Sequence, residues 1–230
     1  MELLTYVILP YLTIVVFVWG LVWRIRTWWA KPRAGAVLYP AAKNKRNVVL
    51  RVIGDIVFFG KTFSISKSLW VMAVLFHLGL LLVVLGHLRT IVEPAFVWGW
   101  FNLDSQGIDN VSFNMGMIAG GIMLVGGILL FSRRFTPKMR ILSIFQDYFV
   151  LSMLLVIVLL GIGMRLWAPI HAAEVQHYVR GVLTLRPAVE ISNILFLWHI
   201  FFAQVLIMYL PFSKLIHLVS KPVAESWTMR

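Results

Sequence analysis

Five apolar runs, each long enough to cross a lipid bilayer, decide what this chain can fold into. A helix needs about 20 predominantly apolar residues to span the hydrocarbon core, and the sequence supplies such runs near 4–23, 69–91, 113–132, 145–165 and 191–212. The last extends towards Val219 if the helix kinks at Pro211 and continues. Inside a bilayer every backbone polar group must be satisfied within the chain, so runs of this kind are helices. The expectation is an all-α integral membrane bundle of five transmembrane helices forming a single domain over 1–230. Hydrophobic residues make up 60% of the chain and charged residues 13%, more apolar surface than one soluble core of this length could hide. The first run is not a cleavable signal peptide: it is too long, and positive charge follows it instead of preceding it.

The net charge of +12 would suit nucleic acid, but its distribution does not, and no nucleic-acid partner is expected. Lys and Arg gather in the connections between runs. The loop 24–68 carries ten, Arg133, Arg134, Lys138 and Arg140 lie in the third connection, and Lys214, Lys221 and Arg230 lie in the tail. The opposite side has only Arg89, Arg165, Arg180 and Arg186, among several acidic residues. The positive-inside rule then places the N-terminus outside and the C-terminus in the cytoplasm. Within the long cytoplasmic loop, Val48–Phe63 mixes apolar and charged residues as a helix at the membrane interface would. Such a helix either hugs the headgroups or offers a docking surface to a cytoplasmic subunit. Cysteine is absent, which excludes disulfides, cysteine-held iron–sulfur clusters and covalent c-type haem within this chain.

Histidine carries the functional signal. His171 and His177 fall in an outer loop without further ligands and read as solvated. The other four lie on two runs, His77 and His87 on the second and His199 and His217 on the fifth. Ionisable groups in a bilayer face a partner, a cavity or a cofactor. The two runs are antiparallel, so His87 and His199 share the outer half and His77 and His217 the cytoplasmic half. Ten residues separate the first pair by about 15 Å, and eighteen residues return to the same face after about five turns of unbroken helix. Interhelical hydrogen bonding explains one buried histidine. Four in two depth-matched couples suit axial ligation of two haem irons. Span three is rich in glycine, with Gly116, Gly120, Gly121, Gly126 and Gly127, and Gly79 lies near the His87 face. Close helix approach or room for a flat macrocycle would each account for them.

At these residues the sequence resembles a known family. Phe76–His87, Ala119–Gly127, Arg133–Arg140 and Pro211–Leu218 resemble the gamma subunit of respiratory nitrate reductase. The resemblance implies a five-helix di-haem cytochrome b of the cytoplasmic membrane, with the inner haem b on His77 and His217 and the outer on His87 and His199. It implies oxidation of a quinol, menaquinol or ubiquinol, beside the outer haem. Electrons would pass to an iron–sulfur subunit on the cytoplasmic side and on to a catalytic reductase subunit, this chain not being the reductase itself. Where the nitrate enzymes carry a quinone-serving Lys, this chain reads Val111–Asn114. The stretch Gly54–Trp70 resembles the membrane cytochromes that partner heterodisulfide-reductase-like proteins, which opens the alternative of quinone reduction with such a module or a hydrogenase. An unrelated reading is a haem-free anchor or a histidine-lined transporter. Gly86, Arg89, Ser112 and Asn114 are the outer-side candidates for a quinone or haem propionate site, Arg89 serving equally as a helix-end anchor. Asp147 reads as a proton carrier or a solvated interfacial carboxylate, and the Trp residues near run ends as aromatic belts.

Overall fold

A computed structural model describes residues 1–30, 54, 57–187 and 191–216. The described chain is all-helical, and five of its helices are long and apolar enough to cross a membrane: Leu4–Ala30, Lys67–Leu88, Ser105–Arg133, Phe145–Trp167 and Ile194–Phe212. In chain order the elements are a π-helical turn Leu4–Ile8 leading into α1 (Leu9–Ala30), then α2 (Gly60–Ile65), α3 (Lys67–Leu88), α4 (Ala95–Trp100), α5 (Ser105–Arg133) and α6 (Pro137–Leu142). They are followed by α7 (Phe145–Trp167), α8 (Ala172–Leu183) and α9 (Ile194–Tyr209), with 3-10 turns at Leu210–Phe212 and Lys214–Ile216.

The first span runs on to Ala30, past the expected end at residue 23, and two further boundaries depart from the sequence expectation for a local reason. α5 starts at Ser105, well before the apolar run, because the Asp104 carboxylate accepts the Gly107 N–H at 2.8 Å and caps the helix. Its first turns are too polar to register as hydrophobic. α9 ends at Tyr209 and gives way to the 3-10 turns Leu210–Phe212 and Lys214–Ile216; residues 217–219 of the expected extension lie outside the described residues. Pro211 lacks the donor that an α-helix requires, and Ser213 is extended, with ψ 172°. No unbroken helix therefore carries His199 on towards position 217, and His217 lies outside the described residues.

The chain forms two compact units, Met1–Thr13 with Met72–Leu206, and Ile14–Val71 with Ile207–Arg230. In the first, glycine sets how closely three spans pack. Gly79 of α3 lies on the Met123 backbone of α5, and Gly126 of α5 lies on the Phe76 backbone of α3. Gly120 and Gly127 face Ile162 and Leu155 of α7. These glycines are filled by neighbouring helices, so close approach and not macrocycle space is their role.

A second knot in this unit ties the N-terminal turn to the fifth span. The rings of Tyr6, Tyr178 and Phe196 pack together, with the two tyrosines 5.5 Å apart. Tyr6 OH donates to the Ile191 carbonyl (3.1 Å), Tyr178 OH to the Tyr6 carbonyl (3.2 Å), and the Gln204 amide to the Thr5 carbonyl (3.3 Å). Burial raises the Tyr178 phenol well above its ordinary pKa, and Tyr6 and Tyr11 add to the effect.

Asp147 corrects an expectation. Its side chain is only 8% exposed, accepts the Ile144 N–H at 3.1 Å and lies 3.9 Å from the Arg134 guanidinium. It is a helix-capping, ion-paired group at the start of α7 and not a solvated carboxylate. In the second unit, Gly20 leaves room for the Pro211 and Phe212 side chains, and Trp19 and Trp23 flank the Phe212 ring. Trp70 donates its indole N–H to the Phe58 carbonyl at 2.8 Å. Half of the Val48–Phe63 interface segment lies outside the described residues.

Candidate functional site

α3 and α9 bring His87 and His199 together. Their rings are parallel to within 7°, with centroids 6.2 Å apart. The His87 Nδ1 lies 2.7 Å from the Val83 carbonyl, one turn back on its own helix. The His199 Nδ1 lies 2.9 Å from the Ile157 carbonyl of α7. A carbonyl only accepts, so each Nδ1 carries the proton and each Nε2 holds the lone pair. Histidines that ligate metals are oriented in this way. Two metal–imidazole bonds of about 2 Å, with about 1 Å from each nitrogen to its ring centre, require about 6 Å between centroids. The observed centroid separation is of that size. Among the described residues no three His, Asp or Glu side chains gather as a metal site. Two imidazoles alone are a donor set for a metal already held by a macrocycle, and too few for a bare ion.

His77 repeats the arrangement, with its Nδ1 2.8 Å from the Ala73 carbonyl one turn back. Its expected partner, His217, is not among the described residues.

α7 makes a contribution that the sequence did not disclose. A Cβ at Gly161 would meet the His199 ring at 3.3 Å from Cε1 and 3.5 Å from Nδ1. Gly161 is also the residue whose N–H bonds the Ile157 carbonyl in a regular helix. That carbonyl thus serves its own helix and the histidine together. The only signal in the sequence is a glycine in an apolar run, and nothing in the spacing connects it to a histidine on another span.

Next to His87 lies a polar network on the connection side of the bundle. The Arg89 Nε donates to Glu93 Oε1 and Oε2 at 3.0 and 3.1 Å, Nη1 donates to Ser112 Oγ, and Nη2 donates to Asp109 at 3.4 Å. Glu93 also accepts from the Trp98 indole and the Gln176 amide, each at 2.6 Å. Partial burial pushes the Glu93 carboxyl up. The hydrogen bonds from Trp98, Gln176 and Arg89, with the Arg89 charge, outweigh it and hold the group below its ordinary value. Of the expected outer-side candidates the structure joins Arg89 and Ser112, with Arg89 ion-paired to Glu93 just past the end of α3. Gly86 is exposed, and a Cβ there would meet nothing within 4 Å. Asn114 is exposed, and among the described residues no hydrogen bond joins it to the network. His171 and His177 are exposed at the start and on the surface of α8.

Comparison with known proteins places the chain in a family. The sequence model of the nitrate reductase gamma subunit matches residues 61–228. The chain belongs to that family. It is 28% identical to the Hdr-like menaquinol oxidoreductase cytochrome b-like subunit of Archaeoglobus fulgidus, over 92% of this chain and 75% of the relative. The corresponding subunit of Archaeoglobus profundus is 33% identical over 66% of the chain and 47% of its own length. The respiratory nitrate reductase 1 gamma chain of Escherichia coli K12 is 29% identical over 65% of the chain and 70% of the relative. The protein is thus an integral protein of the cytoplasmic membrane and a cytochrome b-like subunit of the kind found in oxidoreductase complexes.

Proposed function

We propose that this family member is a di-haem b subunit that oxidises menaquinol on the outer side of the membrane and passes the electrons to a cytoplasmic iron–sulfur subunit. The observation that carries this reading is the His87–His199 pair, parallel and separated by the span of one doubly coordinated metal. In this reading His87 and His199 hold the outer haem, and His77 and His217 the inner one. Bound there, haem supplies a one-electron redox centre.

The chain's own residues prepare that site. The Val83 and Ile157 carbonyls hold the Nδ1 protons and thereby fix which nitrogen is offered, and Gly161 gives the His199 ring its place. Ten residues of helix set the His77 level about 15 Å from the His87 level. The Arg89–Glu93–Ser112 network holds the α3 terminus that carries His87. Quinol oxidation, rather than quinone reduction, is supported by the relatives' names, which are those of menaquinol oxidoreductases and nitrate reductases. The A. fulgidus match covers 92% of the chain, so it takes in part of the first 60 residues that the family match leaves out. That favours a heterodisulfide-reductase-like partner over a nitrate reductase.

The test is His87→Ala, purified with whatever subunits accompany it. The variant should lose one haem, keep the other and no longer be reduced by a menaquinol analogue. Retention of both haems at unchanged potentials would refute the ligand assignment.

A further inference from the structure

Among the described residues beside His199, Arg165 is a cation that the functional reading leaves without a role. It sits on α7 one turn beyond Gly161 and two beyond Ile157, on the face that packs against His199. Its guanidinium is folded back over Gly116 of α5, where any Cβ would collide with it. Nη1 donates to the Ser112 carbonyl at a long 3.3 Å. The same Ser112 takes Arg89 on its hydroxyl, so two guanidinium groups converge on one residue.

Their electrostatic situations differ. Arg89 is neutralised by Glu93 and Asp109, and Arg134 lies beside Asp147. Among the described residues no carboxylate pairs with Arg165. Arg165 stands in the last turn of α7 and is part-buried, and a charge taken out of water is costly unless it is paired. A guanidinium carries five donors in a planar fork that matches a carboxylate. Here one hydrogen bond is made, at a long 3.3 Å, and Gly116 on the facing helix leaves the space that the fork occupies.

We propose that Arg165 binds a carboxylate side arm of the outer haem. The inference rests on the haem reading above and adds to it the residue that compensates the charge of the bound group. Charge-assisted bonds from a guanidinium to a carboxylate are among the strongest polar contacts available in such a setting. Arg165 would then tune the outer haem as well as hold it. Removing the positive charge leaves the carboxylate uncompensated, favours the ferric form and lowers the potential.

The experiment is a redox titration of the full chain with its partner subunits, wild type against Arg165→Gln, Arg165→Lys and Gly116→Ala. Haem content and menaquinol-analogue KM are measured alongside. Arg165→Gln should lower the outer haem's potential by the equivalent of about tenfold in its one-electron equilibrium, about 59 mV, while the inner haem is unmoved. Arg165→Lys should restore part of the shift. Gly116→Ala displaces the guanidinium without removing its charge and should move the same potential in the same direction. If Arg165→Gln does not assemble, Gly116→Ala decides alone. An unchanged outer potential with a raised KM would show that the guanidinium serves the quinol, and unchanged potential and KM would show packing only; either overturns the proposal. A wild-type protein without haem would instead refute the parent reading.

Discussion

Gly161 gives the sharpest structural prediction. A Cβ there would stand 3.3 Å from the His199 Cε1, so Gly161→Ala forces the ring or α7 to yield by a few tenths of an ångström. Gly161→Val adds branches that reach about 1.5 Å further, into the space of the ring itself. The ring must then tilt, and its bond to the Ile157 carbonyl goes with it. Loss of such an orienting partner lowers metal affinity about 10–100-fold, which corresponds to about 1.4–2.8 kcal/mol. Gly161→Ala should therefore weaken outer haem retention by about tenfold, and Gly161→Val should abolish it. The assay is haem per chain from the pyridine haemochrome spectrum during stepwise dilution in detergent, with Gly121→Ala as control because a Cβ there meets nothing within 4 Å. Gly161→Val carrying two haems as firmly as the control would refute the placement of His199 against α7.

Glu93 predicts a pH dependence. Its folded-state pKa lies below the ordinary 4.5, so its stabilisation is complete above that value and is lost as pH falls through the depressed one. Thermal melting of the wild type should weaken below about pH 4.5 more steeply than that of Glu93→Gln, and parallel profiles would contradict the network. Gly126→Leu would drive a side chain into the Phe76 backbone; it should destabilise the bundle by about 1–3 kcal/mol or more, read as a lower detergent melting temperature, whereas an unchanged value would show that α3 and α5 are not in close contact there.

The membrane architecture was legible because it depends on length and hydropathy alone. All five spans, and the placing of His87 beside His199, follow from run lengths and antiparallel direction. What stayed hidden depends on tertiary contact. Gly161 and Arg165 matter only because α7 packs on α9 and α5, and no pattern within one span reports this. The polar first turns of α5 masked its start, and the capping Asp104 was the missed signal. Asp147 looked interfacial because a sequence does not show that Arg134 and a helix N-terminus enclose it. Pro211 was visible, but whether it kinks or ends a helix is decided by the residues that follow, where Ser213 turns extended.

The central claim is that paired imidazoles hold iron porphyrin at two depths of one bundle. Low-temperature optical and electron paramagnetic resonance spectra of the purified chain test it most directly. Two low-spin b-type haems per polypeptide are expected, each with bis-histidine character, one of them vanishing in His87→Ala. A colourless protein, or a single haem indifferent to that substitution, would contradict it.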